Sequence, residues 1–353
     1  MTAYSPENTA LYVSPTVLVV TVNYRSAAFA VESLRSLENE AKSLEKLQVV
    51  VVDNDSGDES VKIIGQAIAE NNWKDWVTLS PSNHNGGYAY GNNYAIRPAL
   101  KAEHPPDYFL LLNPDTQIYP GAVKELLDFM ESNPQAGICG SSLEEADGSP
   151  FGVAFRFPSI LSELEGGLRL GIVSKLLSKW KVPQQVEACA QEVDWLSGAC
   201  LMIRREVFET IGLMDEDYFL YFEETDFCLQ AKRAGWTCWY VPESHVIHIA
   251  GQSTGVTVRT DKPKRKPTYC YETKQRYFTK NHCLFYTMLA NFTLVIEFSL
   301  WRTRRCIQAK PDNDPPQLLC DFYRNSTIKS FINSKMNKLT QINKLRASFQ
   351  SKS

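Results

Sequence analysis

The stretch "LLLNPDTQIYP" at 110–120 poses the first chemical question. Three leucines fit a buried strand, yet the run stops at Asn113, Pro114 and Asp115. Pro114 fixes its own φ and so aims the carboxylate that follows it. One carboxylate together with diphosphate oxygens and water makes an ordinary Mg²⁺ or Mn²⁺ shell. The plainer reading is that Asp115 caps a turn before a helix beginning at 121. Further on, "HVIHIAGQS" sets His245 and His248 three residues apart, after an expected strand. A single histidine is more often structural, but a neutral imidazole can complete a metal shell begun by Asp115.

The acids of "YFEETDFCLQAKRAG" (221–235) suit proton transfer. Glu223, Glu224 and Asp226 fall at an expected helix start. At about 100° per residue, Glu223 and Asp226 share one side and Glu224 is turned from them, so a single shared role is not expected. Acids in a first helical turn also compensate the helix dipole with no further duty. The aromatic run "MDEDYFLYF" just before them argues for an apolar pocket, which lifts a carboxylate's pKa into the range of base work.

Two further stretches could meet a nucleotide. In "VVVDNDSGDES", Asp53 and Asp55 follow a strand and can accept from a base N–H or a ribose hydroxyl; alternatively the segment caps the next helix through Ser56 or Asp58. A dinucleotide site needs G-x-G-x-x-G after the first strand, and "NYRSAA" has no glycine, which excludes it. In "NHNGGYAYGNN", Gly86 and Gly87 allow backbone to approach a ligand ahead of a helix N-terminus, or they make a plain turn.

The elements that must position these residues alternate. Strand patterns at 16–24, 47–55, 76–80, 107–112 and 136–143 are separated by helical patterns at 27–41, 59–71, 86–102 and 121–133. Apolar strands spaced by helices predict an α/β fold with a parallel sheet covered on both faces, and ligands bind at the carboxyl ends of such strands. Asn23, Asp53, Asp55, Asn113 and Asp115 all follow strand runs. Residues 144–192 are less regular, 193–254 form a second patterned block, and a basic stretch runs from 259 to 276.

At 44% hydrophobic, the 353 residues can bury a sizeable core. A net charge of −3 gives no global basic field, so no nucleic-acid partner is expected. The nine cysteines are odd in number and contain no C-x-x-C, which speaks for a reducing cytoplasm rather than a disulfide framework. The opening "MTAYSPENTALYVSPT" lacks the pattern of a signal peptide, and no run of about 18 apolar residues is free of polar interruption, so no spanning helix is expected.

Taken in order, "VVTVNYRS", "VVVDNDSGDES", "NGGYAYGNN", "LLLNPDT", "WLSGACLMIRREVFETIGLMDEDYFLYFEETDFCLQAKRAGW" and "HIAGQST" resemble a family 2 glycosyltransferase of the GT-A fold, in its rhamnosyltransferase-like branch. The resemblance covers roughly residues 16–255 and extends loosely to about 325. It implies an inverting transfer of a sugar from a dTDP- or UDP-linked donor to a hydroxyl of a glycan or lipid-linked acceptor, in cell-surface polysaccharide or glycolipid synthesis. "NPD" matches the family's D-x-D motif, with Asn113 in place of the first acid, so Asp115 carries the metal contact. "EETD" matches an E-D-x-D motif whose second residue is the base, here Glu224, with Glu223 and Asp226 beside it. His248 matches a metal-ligating histidine. The substrate-binding set implied is Asn23, Tyr24, Asp53, Asp55, Asn85, Gly86, Gly87, Asn113, Trp195 and Gly198.

The implied layout is a tail at 1–15, a GT-A catalytic domain at 16–258 and a basic, amphipathic helical extension at 259–353. Within it, "CLFYTMLANFTLVIEFSLW" (283–301) sets Phe285, Met288, Leu289, Phe292, Val295 and Ile296 at helical spacing between basic flanks. Such a helix either lies on an anionic membrane surface, as a peripheral contact at the inner face of the plasma membrane, or docks on the catalytic domain. Two other functions share parts of this pattern. A nucleotidyltransferase needs a basic, glycine-rich loop after the first strand, which is missing; a non-catalytic sugar-nucleotide binder has no use for Glu224.

Overall fold

The computed structural model describes residues 15–249 and 263–326. Residues 1–14 of the expected tail, 250–254 of the last motif, 259–262 of the basic stretch and the chain end at 327–353 lie outside the described residues.

The first half follows the expected alternation: β1 (Val17–Asn23), α1 (Ala27–Ser43), β2 (Leu47–Asp53), α2 (Ser60–Glu70), β3 (Val77–Pro81), α3 (Gly87–Ala99) and β4 (Tyr108–Leu112). β1 and β4 are apolar because both sheet faces are covered; every residue of β4 is buried. α1 turns Ala30, Leu34 and Leu37 to the sheet at three- and four-residue spacing. Next come β5 (Thr116–Ile118), α4 (Ala122–Ser132) and β6 (Ala136–Glu144).

The region without clear periodicity holds β7 (Ala154–Phe155), α5 (Ile160–Leu168), α6 (Gly171–Leu176), β8 (Gln191–Val193) and β9 (Trp195–Leu196). It is followed by β10 (Cys200–Arg204), α7 (Arg205–Ile211), α8 (Glu223–Arg233) and β11 (Thr237–His248). Three helices, α9 (Tyr269–Asn281), α10 (Leu284–Ile307) and α11 (Leu318–Asn325), complete the described chain.

The main sheet has the order β3-β2-β1-β4-β10-β6-β11-β5, with β8 also paired to β11. Its pairs β1–β2, β1–β4, β2–β3 and β6–β11 are parallel. β10 runs against both β4 and β6, and β5 and β8 run against β11. The sheet is therefore mainly parallel and flanked by helices, as expected, but β10 is a reversed strand within it. That reversal has a use. Cys200 opposes Leu112, so the amino end of β10 lies at the same edge as the carboxyl ends of β1, β2 and β4.

Two expectations need correction. His245 and His248 do not follow a strand; they are the end of β11, after a register shift between Val241 and His245. His248 is buried, while His245 is exposed beside Tyr119. Second, α10 is, by length and composition, apolar enough to cross a bilayer. The polar residues that interrupt the run, Thr287, Asn291, Thr293 and Glu297, are on its buried side. That side rests on α5 and α9, where Asn291 and Gln275 exchange side-chain hydrogen bonds of 2.7 and 2.9 Å.

Candidate active site

A cleft of about 530 Å³ opens at the edge where β1, β2, β4 and β11 end and β10 begins. Its lining includes Tyr24, Asn85, Gly87, Asn113, Asp115, Gly198, Glu223, Glu224 and His248. Segments from the whole length of the described chain thus converge on one hollow.

Asp115 and His248 face each other across the β5–β11 pairing, in which His248 opposes Thr116. His248 Nε2 lies 3.4 Å from Asp115 Oδ1. Both side chains are nearly buried, and His248 Nδ1 has no hydrogen-bond partner. Two ligands of one hard cation at about 2.1 Å stand roughly 3 Å apart, so this pair fits a shared Mg²⁺ or Mn²⁺. No cluster of three His, Cys, Asp or Glu occurs among the described residues, which leaves remaining positions to water or substrate oxygens.

Glu223 and Glu224 open α8, and both line the cleft. The two residues before them, Tyr221 and Phe222, both have φ of 72°, in the left-handed region that side-chain-bearing residues avoid. This double turn sets the helix start against the cleft wall. Each glutamate has an Oε2 atom buried without a hydrogen-bond partner. Burial lifts the Glu224 pKa to about 7, against the partial relief given by the backbone N–H groups of Glu224 and Gly198. Burial first, and the neighbouring Glu224 charge second, push Glu223 well above the carboxylate range.

Asp226 behaves differently from the expectation that it shares a side with Glu223. Its carboxylate turns to α9, where Lys280 Nζ and Asn281 Nδ2 each lie 2.6 Å away. It joins two helices and does not line the cleft. The helical-wheel estimate does not carry over to the cleft because Lys280 and Asn281 of α9 hold the Asp226 carboxylate against that helix.

At the start of α3, Asn85 Oδ1 accepts from the Gly87 N–H and from Asn54 Nδ2, each at 3.0 Å. Gly87 has φ of 87°, and a Cβ there would lie 1.9 Å from the Phe219 carbonyl oxygen. The Tyr88 N–H donates to that same oxygen. Tyr88 OH donates to the Gly198 carbonyl at 2.7 Å, tying α3 to the turn before β10. Gly86 precedes α3 and packs on Tyr90 instead of lining the cleft.

Asn23 and Asp53 lie beneath the cleft floor, both buried. Asn23 Nδ2, Ser56 Oγ and the Ser56 N–H all donate to the Asp53 carboxylate, so it shapes the loop after β2. Asp55 is exposed at φ of 56°, away from the lining residues, and Asp58 accepts from the Ser60 N–H at the start of α2. Trp195 stacks on Phe155 at 4.3 Å and donates to the Arg156 carbonyl, outside the cleft.

The sequence reading did not single out Asn54, Tyr88, Phe219 or Tyr269, all of which line the cleft. Asn54 was visible as the residue between two strand-end acids, and Phe219 as part of the aromatic run. Tyr269 carried no signal; it arrives from α9 and meets Phe219 at 5.4 Å.

The family model described as Glycosyl transferase family 2 matches residues 16–212, more than half of the chain. The N-acetylglucosaminyl-diphospho-decaprenol L-rhamnosyltransferase of Mycobacterium tuberculosis is 34% identical over 190 residues, covering 51% of this chain and 61% of that protein. Rhamnosyltransferase WbbL of Escherichia coli K12 is 30% identical over 168 residues, covering 46% and 61%. The chain thus matches about three-fifths of the length of these curated relatives. Among solved structures, the mannosyltransferase PcManGT of Pyrobaculum calidifontis, in complex with GDP-Man and Mn²⁺, aligns with TM-score 0.53 at 15% identity, covering 84% of this chain and 76% of that one. GalNAc-T7, with UDP, GalNAc and Mn²⁺, aligns with TM-score 0.56 at 14% identity, covering 91% and 55%. These likenesses bear on the fold, which is GT-A, and together with the match over residues 16–212 they lead to one assignment: the chain belongs to glycosyl transferase family 2.

Proposed function

We propose that the protein is an inverting, divalent-metal-dependent glycosyltransferase that moves rhamnose from a dTDP- or UDP-linked donor to a hydroxyl of a glycan or lipid-linked acceptor. The observation that carries this reading is the meeting, in one cleft, of the Asp115–His248 pair with two buried carboxylates that have unpartnered oxygens. The relatives named as rhamnosyltransferases support the donor, and one of them is named for a diphospho-decaprenol acceptor.

In this reading the Asn54–Asn85–Gly87 side receives the nucleotide, and Asp115 with His248 holds Mg²⁺ or Mn²⁺. Such an ion, when bound, supplies neutralisation of the charge that grows on the diphosphate leaving group. Glu224 accepts the acceptor hydroxyl's proton while the anomeric carbon is oxocarbenium-like. Glu223 keeps its proton, because two adjacent buried carboxylates resist sharing two charges. One base suffices for attack opposite the leaving group, and so for inversion.

The catalytic unit proposed, 16–258, runs past the family match because Glu223, Glu224 and His248 follow residue 212. The extension from 259 adds Tyr269 to the cleft. The nine free cysteines fit a cytoplasmic site of action.

The test is thermal-shift screening of dTDP-rhamnose, UDP-sugars and GDP-sugars with and without Mn²⁺, followed by NMR of any product. A pyrimidine-linked donor should raise Tm only when the metal is present, since a ligand of the native state stabilises it by mass action. A protein that no nucleoside diphosphate sugar stabilises would overturn the reading, and a product with retained anomeric configuration would overturn inversion.

A further inference from the structure

We propose that α10 and α6 form a face that rests in the plane of an anionic lipid surface. On α10, Phe285, Leu289, Phe292, Ile296 and Leu300 recur every three or four residues, and each is 44–76% exposed. At 1.5 Å per residue this is one apolar stripe, about 22 Å long, along a single side of the helix. A soluble surface seldom shows such a stripe without a partner.

A second and separate patch repeats the pattern. On α6 and the 3-10 turn after it, Ile172, Leu176 and Trp180 follow at intervals of four and are 71%, 72% and 40% exposed. Lys175 and Lys179 stand next to them, both exposed, and neither forms an ion pair among the described residues. The arginines at the end of α10 are different: Arg302 and Arg305 are paired with Asp312. Unneutralised charge is thus kept beside an apolar patch that includes a tryptophan. Lysine stems and indole rings suit the boundary between headgroups and acyl chains. Both elements pack on α5, and at the end of α5, two residues before α6 begins, the Arg169 guanidinium lies 4.8 Å over the Trp301 ring of α10.

α10 lies on the surface and does not cross it. Its inner side holds Glu297 buried beside Gly167 of α5, and Asn291 bonded to Gln275 of α9. Spanning would strip these polar groups from their protein contacts and place them in hydrocarbon. Lying flat keeps them and buries only the outer stripe. Charge also decides between occupants: two lysines within the α6 patch complement anionic headgroups, whereas a second copy of this face would bring like charges together.

Flotation of the full-length protein with phosphatidylcholine vesicles, with and without about a third phosphatidylglycerol, tests the proposal. The protein should float with the anionic vesicles, and less so as salt rises. The double variant Phe285→Asp/Phe292→Asp should partition at least about tenfold more weakly, and Lys175→Glu/Lys179→Glu should lose about fivefold or more per lysine at low salt. Unchanged Tm and donor binding in both variants would show that the fold and the cleft are intact, so this result is read independently of the transfer chemistry. Three outcomes overturn the proposal: a wild-type protein that never floats, flotation indifferent to both double variants, or a concentration-dependent dimer that Phe285→Asp/Phe292→Asp dissolves, which would make the occupant a second copy.

Discussion

Glu223 and Glu224 are chemically identical side chains that the fold treats differently. Both are lifted by burial, but the Glu224 charge adds to the penalty on Glu223, so Glu223 keeps its proton to higher pH than Glu224 does. Glu224→Gln keeps the size and loses the proposed base. It should lower kcat by about 10²–10⁴, roughly 3–5 kcal/mol of barrier, while calorimetric donor affinity stays near wild type. The same pKa fixes the pH dependence. A base lifted from 4.5 to about 7 is protonated in mild acid, so kcat/KM should rise with pH and level off above about 7. The stability linkage has the opposite sign: a raised folded pKa favours the native state below about 4.5, and that contribution is lost as pH rises through about 7. A rate that falls through this window would place the proton on the wrong partner. For the cation pair, Asp115→Ala should abolish Mn²⁺-dependent donor binding by calorimetry. Undiminished metal-dependent binding would remove Asp115 from the metal site. The acids and Asn113-Pro114-Asp115 were legible in the sequence because their types are rare at strand ends. The burial of Asp53 was not, since its partner Asn23 comes from the end of the neighbouring strand β1, an adjacency that only the sheet pairing creates.

Elements decide which of these side chains reach the cleft. α8 starts at the wall because Tyr221 and Phe222 adopt left-handed backbone, and its far side is clamped to α9 through Asp226, Lys280 and Asp215. Asp226→Asn should therefore weaken the clamp and lower Tm by several degrees, with a smaller loss of kcat than Glu224→Gln. If Asp226→Asn removes activity while Glu224→Gln keeps it, the base is Asp226. α3 is placed by Gly87, whose left-handed φ and contact with the Phe219 carbonyl leave no room for a Cβ. Gly87→Ala should destabilise by about 2–3 kcal/mol in chemical denaturation, because both the backbone and the contact must shift. The long alternating strands and helices of the first half could be read from periodicity. β5, β7, β8 and β9 are only two or three residues long, too short to show a period, and α5 and α6 lie in the same unpatterned region. The reversed β10 falls inside the second patterned block, 193–254, with nothing in the sequence to mark its direction. Its direction is set by pairing with β4 and β6, which one-dimensional pattern does not encode.

The whole molecule closes its cleft with a residue from beyond the family-matched region. Tyr269 is carried on α9, whose other end is held to α8 by Lys280 and Asn281, and its ring lies 5.4 Å from Phe219 and 6.3 Å from Tyr221. These rings stand where α8 begins, and the Phe219 backbone adjoins the start of α3, its carbonyl accepting from the Tyr88 N–H. They line the same cleft as Glu224, where in the proposed reading the acceptor hydroxyl arrives. An aromatic face can stack on the apolar face of a sugar ring and exclude water from the base, which ties the helical extension to acceptor choice. Tyr269→Ser should raise the acceptor KM by about tenfold, the worth of one aromatic contact. Donor Kd should change much less, because the substitution removes a ring and leaves the Asn54–Asn85–Gly87 hydrogen bonds and Asp115 in place. Initial rates against acceptor at saturating donor, with calorimetry of the donor alone, separate the two. A variant that weakens donor and acceptor alike would show that Tyr269 shapes the whole cleft, and an unchanged acceptor KM would remove the extension from recognition.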